Sequence, residues 1–188
     1  MAGLTTFQKK KFEKVFSMLY DSNGDGVIEK EDFDILLGKI QSILGWEKNS
    51  PKYKNAESTL QLVWDGLVKV ADFDSDAKIT IVEWETMWGG CIEEVKKGQF
   101  PDWQKKYMDF MFDVNDKSGD DCIDQSEYTT FMKHFIKESE CKAAFDKISA
   151  GGQGQSNGIT RDDFAKLWKE YLTSDDQSLP GNSLFGPI

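Results

Sequence analysis

The sequence predicts an all-α fold made of four helix–loop–helix units in two pairs. Two observations carry that expectation. Eight stretches place apolar residues at i, i+3, i+4 and i+7, the spacing that puts them on one buried face of a helix. Between the members of each successive pair lies a short polar loop with an isoleucine at its eighth position, namely Ile28, Ile79, Ile123 and Ile159. An internal repeat of this kind organises the chain from end to end.

The elements follow in order. The first helix carries Phe12, Val15, Phe16, Leu19 and Tyr20, and the second Phe33, Leu36, Leu37 and Ile40. The third carries Leu60, Val63, Trp64, Leu67 and Val68, and the fourth Trp84, Met87, Trp88, Cys91, Ile92 and Val95. The fifth holds Trp103, Tyr107, Phe110, Met111 and Val114, and the sixth Tyr128, Phe131, Met132 and Phe135. Cys141, Ala144, Phe145 and Ile148 mark the seventh, and Phe164, Leu167, Trp168 and Tyr171 the eighth. Residues 45–59 read as the longest connection of the first half, and 96–101 as the join between halves, with Pro101 starting a helix. The expected organisation is therefore a first pair over 1–97, a second over 98–173 and a tail over 174–188. A helix, a polar loop and a helix resemble the EF-hand plan. In that plan the eighth loop residue sits in a short antiparallel strand, so Ile28 should face Ile79 and Ile123 should face Ile159.

The loops can be graded as chelators. Calcium is a hard cation that takes six to eight oxygens, supplied in such loops from positions 1, 3, 5, 7 (a backbone carbonyl), 9 and 12. Loop one, residues 21–32, offers Asp21, Asn23 and Asp25, a turn glycine at Gly26, the Val27 carbonyl, Glu29 and Asp32. Aspartate at position 12 is shorter than the usual glutamate, so this site should bind more weakly or with more Mg2+ character. Loop two, residues 72–83, offers Asp72, Asp74, Asp76, the Lys78 carbonyl and Glu83. Ala77 replaces its turn glycine and should stand in the left-handed region at about 1 kcal/mol. Loop three, residues 116–127, offers Asp116, Ser118, Asp120, the Cys122 carbonyl, Asp124 and Glu127, with Asp121 at the turn. Aspartate tolerates positive φ better than most residues. Loop four, residues 152–163, keeps only Ser156 and Asp163, because Gly152 and Gly154 stand where ligands are needed. It should be empty of metal and serve only in pairing.

Composition narrows the function classes. With 23 Lys+Arg against 33 Asp+Glu, the net charge is −10, which argues against a nucleic-acid backbone and against simple attraction to anionic lipid. Fourteen of those acidic residues lie in loops one to three. The start of the chain lacks the apolar run of a secretory signal, and no stretch is long enough to span a bilayer. Cys91, Cys122 and Cys141 have no CxxC spacing and read as reduced thiols of a cytoplasmic protein. His134 is the only histidine, a packing or surface residue, so no catalytic site is expected. Lys9, Lys10 and Lys11 read as a solvated helix start. In the tail, Leu179, Leu184 and Phe185 should fold back into an apolar groove between the halves.

Beyond the loops, the chain resembles calexcitin and the invertebrate sarcoplasmic calcium-binding proteins. The likeness is carried by YDSNGDGVIE (20–29), LVWDGL (62–67), EWETMW (83–88), YMDFMFDVND (107–116), AAFD (143–146) and NSLFG (182–186). It implies a compact helical fold with three calcium ions and an empty fourth loop. It also implies a role in calcium buffering or signalling, with a monomer expected and the protein target unspecified. The wider family includes a protein described as insect juvenile hormone diol kinase, so ATP- or GTP-dependent phosphoryl transfer is the alternative. A P-loop needs a lysine after a correctly spaced glycine, and GGQGQSNG (151–158) has none.

Overall fold

Small polar side chains set where the helices begin, because the first N–H groups of a helix have no partner within it. The computed structural model describes residues 3–150 and 158–188. Thr5 caps α1 (Thr6–Val15) through a reciprocal pair of bonds with Gln8. Asp32 reaches back to the N–H of Glu29 at the start of α2 (Lys30–Leu44). Ser50 caps α3 (Pro51–Ala71), with Pro51 at the first helical position. Thr80 caps α4 (Ile81–Lys96), and α5 spans Asp102–Asn115. Asp124 caps α6 (Gln125–Met132). The series closes with α7 (Glu138–Ser149) and α8 (Arg161–Thr173), the latter capped by Thr160.

Four two-residue strands join the loops in pairs. β1 (Val27–Ile28) runs antiparallel to β2 (Ile79–Thr80), with Ile28 opposite Ile79. β3 (Cys122–Ile123) runs antiparallel to β4 (Ile159–Thr160), with Ile123 opposite Ile159. All four isoleucines are buried. The all-α expectation of four units in two pairs holds, and so does the isoleucine register. A branched apolar side chain at this position ties each strand pair to the core beneath it.

Three boundaries differ from the sequence reading. α3 starts at Pro51, so most of the supposed connection over 45–59 is helix. The Ser50–Pro51 cap and the buried Ala56 explain this: a good N-terminus outweighs a run of polar residues. α6 ends at Met132, leaving Phe135 in the turn that follows. α1 does not stay α-helical to its end; Phe16–Tyr20 is a π-helical turn.

By compactness the chain divides into Met1–Phe110 and Met111–Ile188, the division falling within α5. The core of the first unit is aromatic. Phe12 stacks on Trp88 at 4.8 Å, Tyr20 lies 4.7 Å from Trp84 and 4.8 Å from Tyr107, and the Trp84 indole donates to the Phe12 carbonyl at 3.1 Å. Such pairs add to burial because ring edges and faces carry opposite partial charge. Gly66 of α3 lies so close to α5 that an added Cβ would stand 2.5 Å from the Trp103 Cβ. Lys11, read from sequence as solvated, is fully buried, with its ammonium 4.8 Å from the Phe7 ring centroid. Its long stem covers apolar surface in the way such side chains do.

In the second unit, Trp168 and Tyr171 of α8 form the floor on which the tail lies. Phe185 packs edge-on against Trp168 at 5.2 Å and Tyr171 at 4.8 Å, and the Tyr128 hydroxyl donates to the Leu184 carbonyl at 3.0 Å. The tail therefore folds back onto apolar residues, and these contacts belong to the core of the second unit. A short 3-10 turn, Pro180–Ser183, seats it, and the Gly181 N–H donates to Glu170 Oε2 at 3.0 Å.

Candidate metal centres

Each of the first three loops is wound around the carboxylate of its first aspartate. In loop one, Asp21 Oδ1 accepts from Gly24 N at 2.7 Å and Asp25 N at 3.1 Å, and Oδ2 accepts from Gly26 N at 3.0 Å. In loop two, Asp72 accepts in the same way from Ser75, Asp76 and Ala77 at 2.7, 3.2 and 3.0 Å. In loop three, Asp116 accepts from Gly119, Asp120 and Asp121 at 2.7, 3.3 and 2.9 Å. The third and fifth positions repeat a smaller version of this turn. Asn23 Oδ1 accepts from Asp25 N, and Asp25 Oδ1 from Val27 N. Asp74 and Asp76 do the same for Asp76 N and Lys78 N, as does Asp120 for Cys122 N. Ser118 instead turns its hydroxyl to Asp116 Oδ1 at 3.2 Å.

This winding needs left-handed backbone at positions 4 and 6. Position 4 holds Gly24, Ser75 and Gly119 at φ 77°, 64° and 76°; position 6 holds Gly26, Ala77 and Asp121 at φ 90°, 63° and 61°. The strain read from sequence at Ala77 and Asp121 is present. The same demand at Ser75 was missed, because the turn glycine of position 6 is the better-known landmark.

The twelfth residue closes each loop by accepting from both ends of it. Asp32 Oδ1 accepts from Ser22 N and Asn23 N at 2.9 and 3.1 Å, and Oδ2 from Glu29 N at 2.7 Å. Glu83 accepts from Phe73 N at 3.0 Å and Thr80 N at 2.9 Å. Glu127 accepts from Ser118 N at 2.7 Å and Asp124 N at 3.1 Å. Position 12 is thus also the third residue of the following helix, in a capping box whose other half is Thr80 or Asp124. The T-x-x-E of 80–83 and D-x-x-E of 124–127 were signals of this in the sequence.

The closing residues differ electrostatically. Asp32 is fully buried, and burial pushes its carboxyl above the usual range despite three N–H donors. Glu83 is held below its usual range, chiefly by the Thr80 N–H. Asp74 is pushed up, by desolvation first and then by the neighbouring Asp76 charge. Crowded carboxylates of this kind favour the arrival of a dication.

In loop two the carboxylate oxygens of Asp72, Asp74 and Asp76 lie within 4.8 Å of one another. Two ligands on opposite sides of one ion at about 2.4 Å each are separated by that distance, so these three oxygens can share a calcium. The donors are all hard oxygens, as that cation requires. Loops one and three replace the second carboxylate by the Asn23 amide and the Ser118 hydroxyl. The backbone carbonyl contributors, Val27, Lys78 and Cys122, stand at or beside the paired strands.

Cross-loop ion pairs flank both strand pairs. The Lys78 ammonium of loop two meets the Glu29 carboxylate of loop one. Arg161 meets Asp113 at 2.7 Å and Asp121 of loop three at 3.4 Å, its guanidinium 4.2 Å from the Phe112 ring centroid. Sequence reading missed both, because the partners are distant along the chain. In loop four, residues 152–157, with the ligand positions Gly152, Gly154 and Ser156, lie outside the described residues. Asp163 is turned to its own helix start, with Oδ2 accepting from the Thr160 hydroxyl at 2.7 Å. His134 is exposed, and no described helix is long and apolar enough to cross a membrane.

No family model matches the chain. It is 34% identical over 187 residues to Calexcitin-1 of Caenorhabditis elegans, an alignment covering 97% of this chain and 87% of that protein. It is 29% identical over 188 residues to sarcoplasmic calcium-binding proteins I, III and IV of Branchiostoma lanceolatum, covering 98% of each. Among solved structures, the amphioxus sarcoplasmic calcium-binding protein matches with a TM-score of 0.84 at 27% identity, over 99% of this chain and 100% of that one. Calcium-loaded apo-aequorin from Aequorea victoria matches in fold alone, with a TM-score of 0.65 at 17% identity over 92% and 93% of the two chains. Four paired hands, three wound loops and a relative above 30% identity along nearly the whole length lead to one conclusion: the chain belongs to the calexcitin and sarcoplasmic calcium-binding protein family of EF-hand proteins.

Proposed function

We propose that this chain binds three calcium ions and acts as a cytoplasmic, monomeric calcium buffer or sensor. The observation that carries the reading is the convergence of Asp72, Asp74 and Asp76 oxygens within 4.8 Å in loop two. The family supports calcium as the ion, since relatives over the full length are named for binding it. The ligands proposed for loop one are Asp21, Asn23, Asp25, the Val27 carbonyl and Asp32. For loop two they are Asp72, Asp74, Asp76, the Lys78 carbonyl and Glu83. For loop three they are Asp116, Ser118, Asp120, the Cys122 carbonyl and Glu127. The fourth loop stays empty and serves its partner through β4. The functional halves are 1–97 and 98–173, each one strand-paired set of hands.

Loop one is the site for which magnesium competes. Its closing Asp32 is one methylene shorter than glutamate and offers less reach for two-oxygen coordination of the larger ion. Affinities on the order of 10⁻⁷–10⁻⁵ M fit loops two and three. Because bound metal stabilises only the folded form, each site filled at about 100 times its dissociation constant adds about 2.7 kcal/mol.

Native mass spectrometry with calorimetric titration tests the reading. Three retained calcium ions are expected, with Asp72→Ala and Asp116→Ala each removing one. Asp32→Glu should raise the calcium preference of loop one over magnesium by on the order of tenfold. Retention of no ion, or of three ions when Asp72→Ala and Asp116→Ala are combined, would sink the assignment. Repeating the titration with ATP and GTP decides the phosphoryl-transfer alternative, which heat from calcium alone would retire.

A further inference from the structure

The three loops differ in how the chain reaches the first ligand. In loops two and three that residue closes an ordinary α turn: Asp72 N donates to Val68 O at 3.1 Å, and Asp116 N to Phe112 O at 2.8 Å. In loop one the bond runs five residues back, from Asp21 N to Phe16 O at 2.8 Å, closing the π turn Phe16–Tyr20. Such a turn holds one residue more than an α turn, and single π turns occur disproportionately at functional sites. The last carbonyls of a helix also lack partners inside it. One of them, Leu19 O, accepts from the Tyr107 hydroxyl of α5 at 2.9 Å. Both residues are buried, so a lost partner there is not replaced by water. Tyr20 makes a second link to α5, donating to Gln104 Oε1 at 3.3 Å.

The far end of loop one differs as well. Its closing side chain, Asp32, is the short one, yet its Oδ1 reaches the N–H groups of both Ser22 and Asn23. A shorter closing residue requires that the start of the loop come towards it. The extra residue in the π turn can supply that displacement, and among the described residues such a turn stands only before the loop with the short closing side chain. We infer that Tyr107 is a positioning residue for loop one: its hydroxyl holds the π turn that presents Ser22 and Asn23 to Asp32. It thereby sets the ion affinity of that loop separately from the other two. This inference rests on loop one being a cation site.

The test is Tyr107→Phe, which keeps the ring and its volume and removes only the hydroxyl. The Gly26, Ala77 and Asp121 N–H groups donate to the first aspartates of their loops at 3.0, 3.0 and 2.9 Å. Their NMR signals therefore report one site each. The expected result is calcium binding about fivefold weaker at Gly26 and changed by less than about twofold at Ala77 and Asp121. In metal-free protein the Asp21 amide should exchange its hydrogen faster. Tyr128→Phe removes the same kind of bond, to the Leu184 carbonyl, away from loop one. An unchanged Gly26 midpoint in Tyr107→Phe, or one shifted equally by Tyr128→Phe, overturns the positioning role. If Gly26 in the unsubstituted protein responds to neither calcium nor magnesium, the site reading of loop one fails. Asp21 exchange, measured without metal, then decides the hold on the π turn by itself.

Discussion

Ala77 occupies a backbone conformation that suits glycine, at φ 63°, in the middle of loop two. The residue costs stability in proportion to the crowding of its Cβ against the following carbonyl. Ala77→Gly is therefore expected to stabilise the metal-free protein by about 0.5–1 kcal/mol, read as a higher denaturant midpoint with an unchanged slope. Cys91 offers a separate check at this scale. Burial pushes its thiol up to about 11. The unfolded chain ionises earlier, at about 8.5, so stability from this group is intact below that pH and is lost as pH climbs towards 11. Alkylation of Cys91, mapped by mass spectrometry, should remain slow at pH 8 and rise about tenfold per unit up to that value. Comparable labelling at pH 7 and pH 10 would contradict its burial. The loop residues that wind and close each turn were legible residue by residue, because the turns depend on spacing and on oxygen chemistry. The Lys78–Glu29 and Arg161–Asp121 pairs were not, because they join residues 49 and 40 positions apart.

Elements were legible where local chemistry governs them. Capping residues announce α4 and α6, and Ser50–Pro51 announces α3, even though the polar run over 45–59 concealed it. The π turn before loop one was not legible. It depends on Tyr107, which supplies a hydrogen-bond donor from 88 residues away. The approach of α3 to α5 is also long-range, and it allows a sharp prediction. Gly66→Ala places a methyl 2.5 Å from the Trp103 Cβ, which two helices can relieve only by moving apart. The expected loss is about 1–3 kcal/mol, visible as a melting temperature lower by several degrees. An unchanged melting temperature would mean that this contact is looser than the structure has it. Propensity alone predicts the opposite sign, since alanine is the better helix former.

For the whole chain, the tail is the informative segment. Leu184 and Phe185 are buried, and Phe185 meets two aromatic rings of α8. Removing residues 178–188 should uncover Trp168 and Tyr171, increase binding of an apolar fluorescent dye and lower the melting temperature. If both measurements stay as they were, the tail is not part of the core of the second unit. The apolar character of Leu184 and Phe185 showed in advance that the tail would seek burial. Its destination did not show, because several apolar surfaces were available to it and only shape separates them.

Periodicity and spacing determined the four-unit helical plan, the facing isoleucines and the oxygen-rich loops, because each depends on interactions within a few turns of chain. Tertiary structure decided the π turn held by Tyr107, the burial of Lys11, the seat of the tail and the ion pairs that join paired loops. Those features arise where distant segments compete for the same space or the same hydrogen bond, and a linear pattern does not contain the outcome of that competition.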